Sequence, residues 1–119
     1  MRIDGGTAAT RVALYDDPVF REHDAGRAHP ERPERLEAVR RGIRSAGLEP
    51  RLRMIAPREA TVEELRRVHT DAHIAAVAAT EGRTVRFDAD TQASPRSYRA
   101  ALKAAGAALD AVERVRADE

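Results

Sequence analysis

The sequence predicts an α/β fold that is mostly helical, with the element order β-α-β-α-α-α. Two observations lead to this prediction. A short apolar run at residues 11–15 and an alternating polar and apolar run at residues 51–55 have the length of strands, and most of the remaining chain has apolar residues at helical spacing. Two short strands do not form a self-sufficient sheet in water. We therefore expect these elements to form the opening of a larger α/β domain.

The first strand is predicted at residues 11–15 (RVALY), where the apolar run ends at an Asp-Asp-Pro turn. Residues 18–31 contain Pro, Gly, His and Asp without any period, and they are interpreted as a long loop. Loops of that length are uncommon in compact domains and are often functional. The second strand is predicted at residues 51–55, where polar and apolar residues alternate.

The first helix is predicted to begin near Pro33, because proline is well tolerated in the first helical turn. Leu36, Val39 and Ile43 follow at i, i+3 and i+7, which predicts one apolar stripe facing the core. Gly47 is predicted to end this helix in the left-handed region of backbone space.

Capping signals define the next two helices. Thr61 and Glu64 have the spacing of a capping box, and Thr70 is predicted to cap a further helix. Residues 83–93 are interpreted as another loop.

The longest helix is predicted to start with Ser94 as its N-cap and Pro95 at its first position. Small residues around Gly106 predict that a neighbouring element packs closely against it. Its buried face is predicted to contain Tyr98, Leu102, Ala105, Leu109 and Val112.

Composition disfavours several classes of function. The chain has 21 basic and 20 acidic residues, interleaved to a net charge of +1, so no uncompensated basic surface for nucleic acid is expected. The absence of cysteine excludes disulfides and thiolate metal sites. No apolar run approaches the roughly 20 residues of a membrane span. Residues 1–10 lack the apolar region of a secretory signal and are interpreted as a flexible leader, with a cytoplasmic location expected.

Two charged residues allow both a structural and a functional interpretation. Asp90 precedes the longest helix, where its carboxylate could cap its own loop or accept hydrogen bonds from amide groups of a ligand. Arg35 lies in the opening turn of the first helix, which the helix dipole disfavours for a cation. It could be exposed, or it could point inward to bind a carboxylate.

The four histidines do not have the spacing of a compact metal site. His23 and His29 lie in the long loop, and structural roles or roles at a site rim are favoured for them over metal binding. His69 and His73 are four residues apart, but Thr70 indicates a break between two helices. His69 is therefore expected to be a buried, hydrogen-bonded helix terminator. The sequence also contains no recognisable Ser-His-Asp set, phosphate-binding loop or metalloprotease motif.

Four colinear segments carry a family resemblance. Residues 23–36 (HDAGRAHPERPERL) resemble the signature H-D-x-G-x-x-H-P-E-R-P-E-R-L of the zinc-dependent histone deacetylase and acetylpolyamine amidohydrolase family. Residues 57–65, 68–74 and 90–102 resemble further segments of that family, in the same order and at the same spacing. The resemblance covers about residues 11–113. It implies the N-terminal part of an arginase-like, three-layer αβα deacetylase fold.

The resemblance also implies roles for individual residues. Arg35 matches an arginine of an internal channel through which acetate leaves, and Asp90 matches a rim aspartate that holds backbone N–H groups of the acetyl-lysine substrate. His23, His29 and Pro30 match the first loop of the substrate rim.

At three positions this sequence departs from the family pattern. His73 replaces the usual tyrosine, and Gln92 and Ala93 replace a commoner aromatic and aliphatic pair, so substrate preference could differ.

The resemblance places the zinc ligands and the general acid and base downstream of the matching segments. Zinc is the cofactor expected for the intact family, and no catalytic or metal-binding residue is expected in this chain, which is predicted to be inactive alone. The expected substrate is acetylated lysine or a small acetylated amine, with no nucleic acid or membrane partner and a possible homo-oligomer. The alternative is a non-catalytic interaction module derived from the same family.

Overall fold

The computed structural model describes residues 12–117, and the predicted leader at residues 1–10 lies outside them. Four strands and four helices follow one another in the order β-α-β-α-α-β-β-α. They are β1 (Val12–Tyr15), α1 (Glu34–Ser45), β2 (Leu52–Ile55), α2 (Val62–Leu65), α3 (Asp71–Ala78), β3 (Val85–Asp88), β4 (Thr91–Ala93) and α4 (Ser97–Arg116).

The two predicted strands pair in parallel, which confirms the α/β class. Val12 lies opposite Leu52, and Tyr15 lies opposite Ile55. Parallel neighbours require a crossover connection, and α1 lies within the segment that joins β1 to β2. Val12 is 60% exposed and Met54 is 52% exposed, so the described residues leave part of this strand pair uncovered.

The prediction of a loop at residues 83–93 is wrong, because β3 and β4 form an antiparallel hairpin there. The strands are only four and three residues long, and a bulge interrupts their register between Arg86 and Asp88. Strands this short and irregular give no clear alternation in sequence. The long loop predicted at residues 18–31 also contains a 3-10 helix, Pro18–Glu22, capped by the side chain of Asp17.

Three of the predicted helix boundaries are confirmed by their backbone geometry. Gly47 has a φ of +70°, the left-handed conformation expected after a helix. The capping box of Thr61 and Glu64 is complete, with both reciprocal hydrogen bonds present. The side chain of Thr70 accepts a hydrogen bond from the backbone N–H of His73.

The predicted start of α4 is wrong by two residues. The helix begins at Ser97 and has Arg96 at its N-cap position, without a side-chain cap. The side chain of Ser94 was expected to accept a backbone N–H of the first helical turn. Instead, the backbone N–H of Ser94 donates to the hydroxyl of Ser97 at 2.7 Å. Ser94 is therefore free to use its own hydroxyl for contacts with the preceding loop.

A neighbouring segment approaches the backbone of α4 closely, as the small residues of this helix predict. The backbone N–H of Ala60 donates to the carbonyl oxygen of Leu102 at 2.9 Å. An added Cβ at Gly106 would lie 1.9 Å from the carbonyl oxygen of Arg58. A glycine at this position thus allows the segment before α2 to lie directly on the helix.

Polar contacts hold the end of β1 against α4. The hydroxyl of Tyr15 donates to the carboxylate of Asp110 at 2.6 Å. Lys103 donates to the carboxylate of Asp17 at 2.8 Å, and this hydrogen bond lowers the pKa of Asp17 below its usual value. These contacts orient α4 relative to β1, the strand that precedes the loop at residues 18–31.

The predicted apolar stripes are only partly buried. Leu102 is buried, but Val112, at the end of the predicted α4 face, is 59% exposed. In α1, Val39 is 58% exposed and the helix contains no buried residue. Both faces have the predicted periodicity, and the described residues do not cover them. Among residues 12–117, no helix has both the length and the apolar content that crossing a bilayer requires.

Alanine substitution at two helical glycines tests the close packing of α4. Gly106→Ala places a methyl group against the backbone of Arg58, and overpacking of this kind costs about 3 kcal/mol of unfolding free energy. Gly42→Ala is the matched control, because nothing lies within 4 Å of its added Cβ, and it is expected to stabilise the protein by about 0.5–1 kcal/mol. Urea denaturation measures both. Equal effects of the two substitutions would contradict the packing described.

The capping box predicts a pH dependence of stability. The hydrogen bond from Arg58 lowers the pKa of Glu64 from 4.5 to about 2. A lowered pKa in the folded state stabilises the fold above the unfolded-state pKa, and this contribution is lost as the pH falls from about 4.5 to about 2. Glu64→Gln should flatten the stability profile over that range.

The measurement is the urea midpoint as a function of pH, with Glu63→Gln as the control because Glu63 is exposed and lies on the same helix. An unchanged acid profile in Glu64→Gln would show that this pair does not contribute.

Candidate functional site

The site is built where the 23–33 loop, the β3–β4 hairpin and the start of α4 meet. Ser94, which follows β4, is only 6% exposed, and its hydroxyl accepts the backbone N–H of Asp24 at 2.9 Å. The same hydroxyl lies 3.2 Å from the carbonyl oxygen of Glu22, to which it donates. A single buried hydroxyl thus fixes the beginning of the loop against the end of the hairpin.

A chain of hydrogen bonds continues from α4 into the loop. The hydroxyl of Ser97 lies 2.6 Å from Nδ1 of His23, and Nε2 of His23 lies 2.6 Å from the carboxylate of Glu31. Sequence reasoning found no Ser-His-acid set, because these residues are 74 and 8 positions apart and belong to different elements. Ser97 also receives the backbone N–H of Ser94, so its hydroxyl orders the helix start and orients His23.

His29 makes the second connection between loop and hairpin. Its Nδ1 accepts the backbone N–H of Glu31 at 2.9 Å, and its Nε2 lies 2.9 Å from the carbonyl oxygen of Asp90. The preceding residue, Ala28, has a φ of +60°. For a residue other than glycine this conformation costs about 1 kcal/mol, so the loop adopts a strained backbone next to His29.

Asp88 caps the turn of the hairpin, and Asp90 does not. The carboxylate of Asp88 accepts the backbone N–H of Asp90 at 2.8 Å, and this bond lowers the pKa of Asp88. Asp90 is exposed, and among residues 12–117 its carboxylate forms no hydrogen bond or ion pair. The sequence left open that Asp90 caps its own loop. In the structure Asp88 has that capping role instead.

Arg35 lies in the first turn of α1 and is exposed. It lines a cavity of about 430 Å³ together with His23, Glu31 and Leu36. Within the described part of the chain, its guanidinium has no carboxylate or carbonyl partner. Asp90 is not among the described residues that line this cavity, and Pro30 is exposed on the loop.

A second cavity, of about 440 Å³, shares Phe20, His23 and Leu36 with the first. It is mostly apolar, and its lining includes Phe20, Phe87 and Gln92 as well as His23 and small residues of α4. His23 therefore lines both cavities, and its two hydrogen bonds fix the orientation of its ring. The sequence offered no signal for this second cavity, because its walls come from five separate segments.

The histidines of the described residues do not form a zinc site. Within residues 12–117, no three His, Cys, Asp or Glu side chains are close enough to hold a metal ion. Both ring nitrogens of His23 and of His29 already have protein partners. His69 and His73 have ring centroids 5.0 Å apart. His69 is exposed, so the prediction of a buried terminator is wrong, although its backbone N–H does bond to Leu65.

These features define an α/β segment in which a loop after the first strand, a hairpin and a helix start form one polar site beside two cavities. Comparison with known proteins identifies the family. Residues 29–119 match the histone deacetylase domain. The chain therefore belongs to the histone deacetylase family.

Individual relatives agree with this assignment. "Histone deacetylase 15" of Arabidopsis thaliana is 44% identical over 84 residues, which cover 69% of this chain and 15% of that protein. "Polyamine deacetylase HDAC10" of Homo sapiens is 36% identical over 115 residues, covering 90% of this chain and 16% of that protein. The crystal structure of the HDA15 HD domain superposes with a TM-score of 0.83 at 35% identity, covering 90% of this chain and 32% of that chain.

The fold prediction is confirmed by this structural match. The chain is a segment of a deacetylase-like α/β domain, and it spans about a sixth of the length of the curated relatives it matches and a third of the matched structure.

Removal of the Ser94 hydroxyl tests the connection between loop and hairpin. Ser94→Ala removes the acceptor of the Asp24 N–H and the donor to the carbonyl oxygen of Glu22, and each lost hydrogen bond costs about 0.5–1.5 kcal/mol. Ser45→Ala, at the exposed end of α1, should change the unfolding free energy by less than about 0.5 kcal/mol. Thermal or urea unfolding of the two variants gives the comparison, and a Ser94→Ala protein as stable as the control would contradict the role assigned to Ser94.

Proposed function

We propose that this chain forms the rim and the product channel of a zinc-dependent deacetylase domain. The domain would hydrolyse N-acetyl groups on lysine side chains or on small acetylated amines. The observation that carries the proposal is the carboxylate of Asp90. It is exposed at the tip of a hairpin whose turn is capped by Asp88, and whose backbone is bound to the 23–33 loop by His29.

Asp90 is assigned the role of holding backbone N–H groups of the substrate. A carboxylate accepts several hydrogen bonds, and charge-assisted bonds to N–H groups are stronger than neutral ones. Fixing the substrate in this way lowers the entropic part of the barrier to hydrolysis. His23, His29 and Pro30 belong to the neighbouring loop and complete this side of the rim.

Arg35 is assigned to the departing acetate. Acetate is an anion, and guanidinium binds carboxylates through two parallel hydrogen bonds. The cavity of about 430 Å³ beside Arg35 is large enough for acetate, and the guanidinium has no competing partner among residues 12–117. His23 lines both this cavity and the apolar one.

Zinc is assigned to residues downstream of the segments described here, as the family resemblance implies. In such enzymes a bound zinc ion polarises the amide oxygen and activates water. The residues described here bind and orient the substrate and accept the product. On this assignment the chain by itself is not a catalyst.

The second candidate is a non-catalytic interaction module that associates as a homo-oligomer. The exposed apolar residues of β1, β2, α1 and α4 favour it, because such surfaces mark sites of association. Analytical ultracentrifugation distinguishes the candidates. A discrete, well-folded oligomer supports the module, and aggregation through open strand edges supports a segment of a larger domain.

A chimera tests the deacetylase assignment. This chain replaces the matching segment of the Arabidopsis relative, which supplies the remainder of its own domain. We expect zinc-dependent deacetylation by the chimera and none by the 119-residue chain alone. Asp90→Ala should lower kcat/KM by about 10- to 100-fold, as expected for loss of charge-assisted hydrogen bonds. Arg35→Ala should lower kcat more than it raises KM, because product release is slowed.

Two controls accompany the chimera. Arg41→Ala removes an exposed arginine from the same helix as Arg35, and Glu63→Ala removes an exposed carboxylate from α2. Both should retain activity within about twofold, as surface changes away from such features have small effects. Zinc-dependent turnover by the isolated chain, or full activity of both Asp90→Ala and Arg35→Ala, would contradict the proposal.

A further inference from the structure

We propose that His29 is a positioning residue, which as a neutral imidazole with its proton on Nε2 fixes the backbone of Asp90 relative to the 23–33 loop. This inference rests on the proposed function, in which the carboxylate of Asp90 holds the substrate. It adds to that function a specific residue and a specific tautomer. The contact joins two segments that are 61 residues apart in the sequence.

The tautomer follows from the two partners of the ring. The backbone N–H of Glu31 donates to Nδ1 of His29 at 2.9 Å, so Nδ1 carries no proton. In a neutral imidazole the other nitrogen then carries it. Nε2 therefore donates to the carbonyl oxygen of Asp90, 2.9 Å away. Only in this tautomer can the neutral ring accept a hydrogen bond at Nδ1 and donate one from Nε2 at the same time.

The hairpin is attached to the loop at both ends of its second strand. At one end, after β4, Ser94 accepts the N–H of Asp24. At the other end, before β4, His29 donates to Asp90. Between them, Gly26 approaches the side chain of Gln92, to which an added Cβ would come within 3.7 Å. Two fixed ends define the orientation of a short strand, whereas one fixed end would leave the turn free to rotate.

The backbone that precedes His29 has an unfavourable conformation that the surrounding contacts must stabilise. Ala28 has a φ of +60°, and the N–H of Gly26 is bound to the side chain of Asp24. A non-glycine residue in the left-handed region persists only where the surroundings determine it. One ring bond of His29 reaches Glu31 in the same loop and the other reaches Asp90 in the hairpin, so the ring holds this segment against the hairpin.

Acidification provides an independent readout. A protonated imidazole donates from both nitrogens and cannot accept the N–H of Glu31, so protonation must break that bond. The charged groups that surround His29, in the loop, in the adjacent cavity and in the hairpin, are Asp24, Arg27, Glu31, Arg32, Glu34, Asp88 and Asp90. Protonation therefore releases the Glu31 side of the ring, while Nε2 still donates to the carbonyl oxygen of Asp90.

The experiment uses the full 119-residue chain and NMR spectroscopy. Long-range ¹H–¹⁵N spectra of the imidazoles should show His29 with an unprotonated Nδ1 and a protonated Nε2 at neutral pH. His29→Ala removes the donor to the carbonyl oxygen of Asp90, so the turn is less restrained and the amide of Asp90, which donates to Asp88, should exchange with solvent about tenfold faster. His29→Gln keeps a donor at a similar reach and should restore exchange to within about threefold.

His69→Ala is the matched control, because His69 is an exposed histidine outside this contact, and its exchange rate at Asp90 should equal that of the unchanged protein. A protonated Nδ1 in His29 at neutral pH would overturn the inference. So would equal exchange in His29→Ala and the control, or unprotected hairpin amides in the unchanged protein. Failure of His29→Gln to restore exchange would also overturn it.

These outcomes separate this inference from the proposed function. The ring tautomer and the exchange rates are measured without zinc or substrate. If Asp90→Ala leaves the chimera fully active while His29 controls hairpin exchange, the substrate role of Asp90 fails and the positioning role stands. If Asp90→Ala impairs the chimera while His29→Ala leaves exchange unchanged, the positioning role fails alone.

Discussion

The buried hydroxyl of Ser94 is the contact on which the site geometry depends. It receives the N–H of Asp24 and donates to Glu22, while the backbone N–H of Ser94 binds the hydroxyl of Ser97. A buried polar group destabilises the fold unless it forms a hydrogen bond. The hydroxyl and the backbone N–H of Ser94 both have such partners. The loop after β1, the hairpin and α4 are thereby fixed to one another, and the orientations of His23 and Asp90 follow from that arrangement.

A second constraint holds this arrangement to the rest of the fold. Gly106 lets the segment before α2 lie on the backbone of α4, and Tyr15 binds Asp110 at the same helix. The helix that begins at Ser97 is thus held along its length by β1 and by the residues after β2. The polar site at its start is consequently rigid on one side, while α1 and the strand pair keep exposed apolar faces. Exposed faces of this kind are expected in a chain that matches a third of a deacetylase structure.

Local signals in the sequence predicted much of the fold. The capping box at Thr61 and the left-handed Gly47 depend on residues within one helical turn, and both were confirmed. The hairpin was missed because its strands are short and bulged. The start of α4 was misplaced because Ser94 is satisfied by distant partners, and no local capping rule contains that information. The contacts of the candidate site could not be predicted for the same reason. The bonds of His23 to Ser97 and of His29 to Asp90 join residues more than 60 positions apart. Arg35 and Asp90 were singled out by family resemblance, and their functional roles stay predictions.

The central claim is that the 23–33 loop and the hairpin form one ordered unit around Ser94. Hydrogen exchange of the Asp24 amide tests it most directly, because this amide donates to the buried hydroxyl. The reference is the amide of Arg27, an exposed residue of the same loop. The account predicts that, after correction for intrinsic rates, the Asp24 amide exchanges about tenfold more slowly or slower still. Equal rates for the two amides would contradict it.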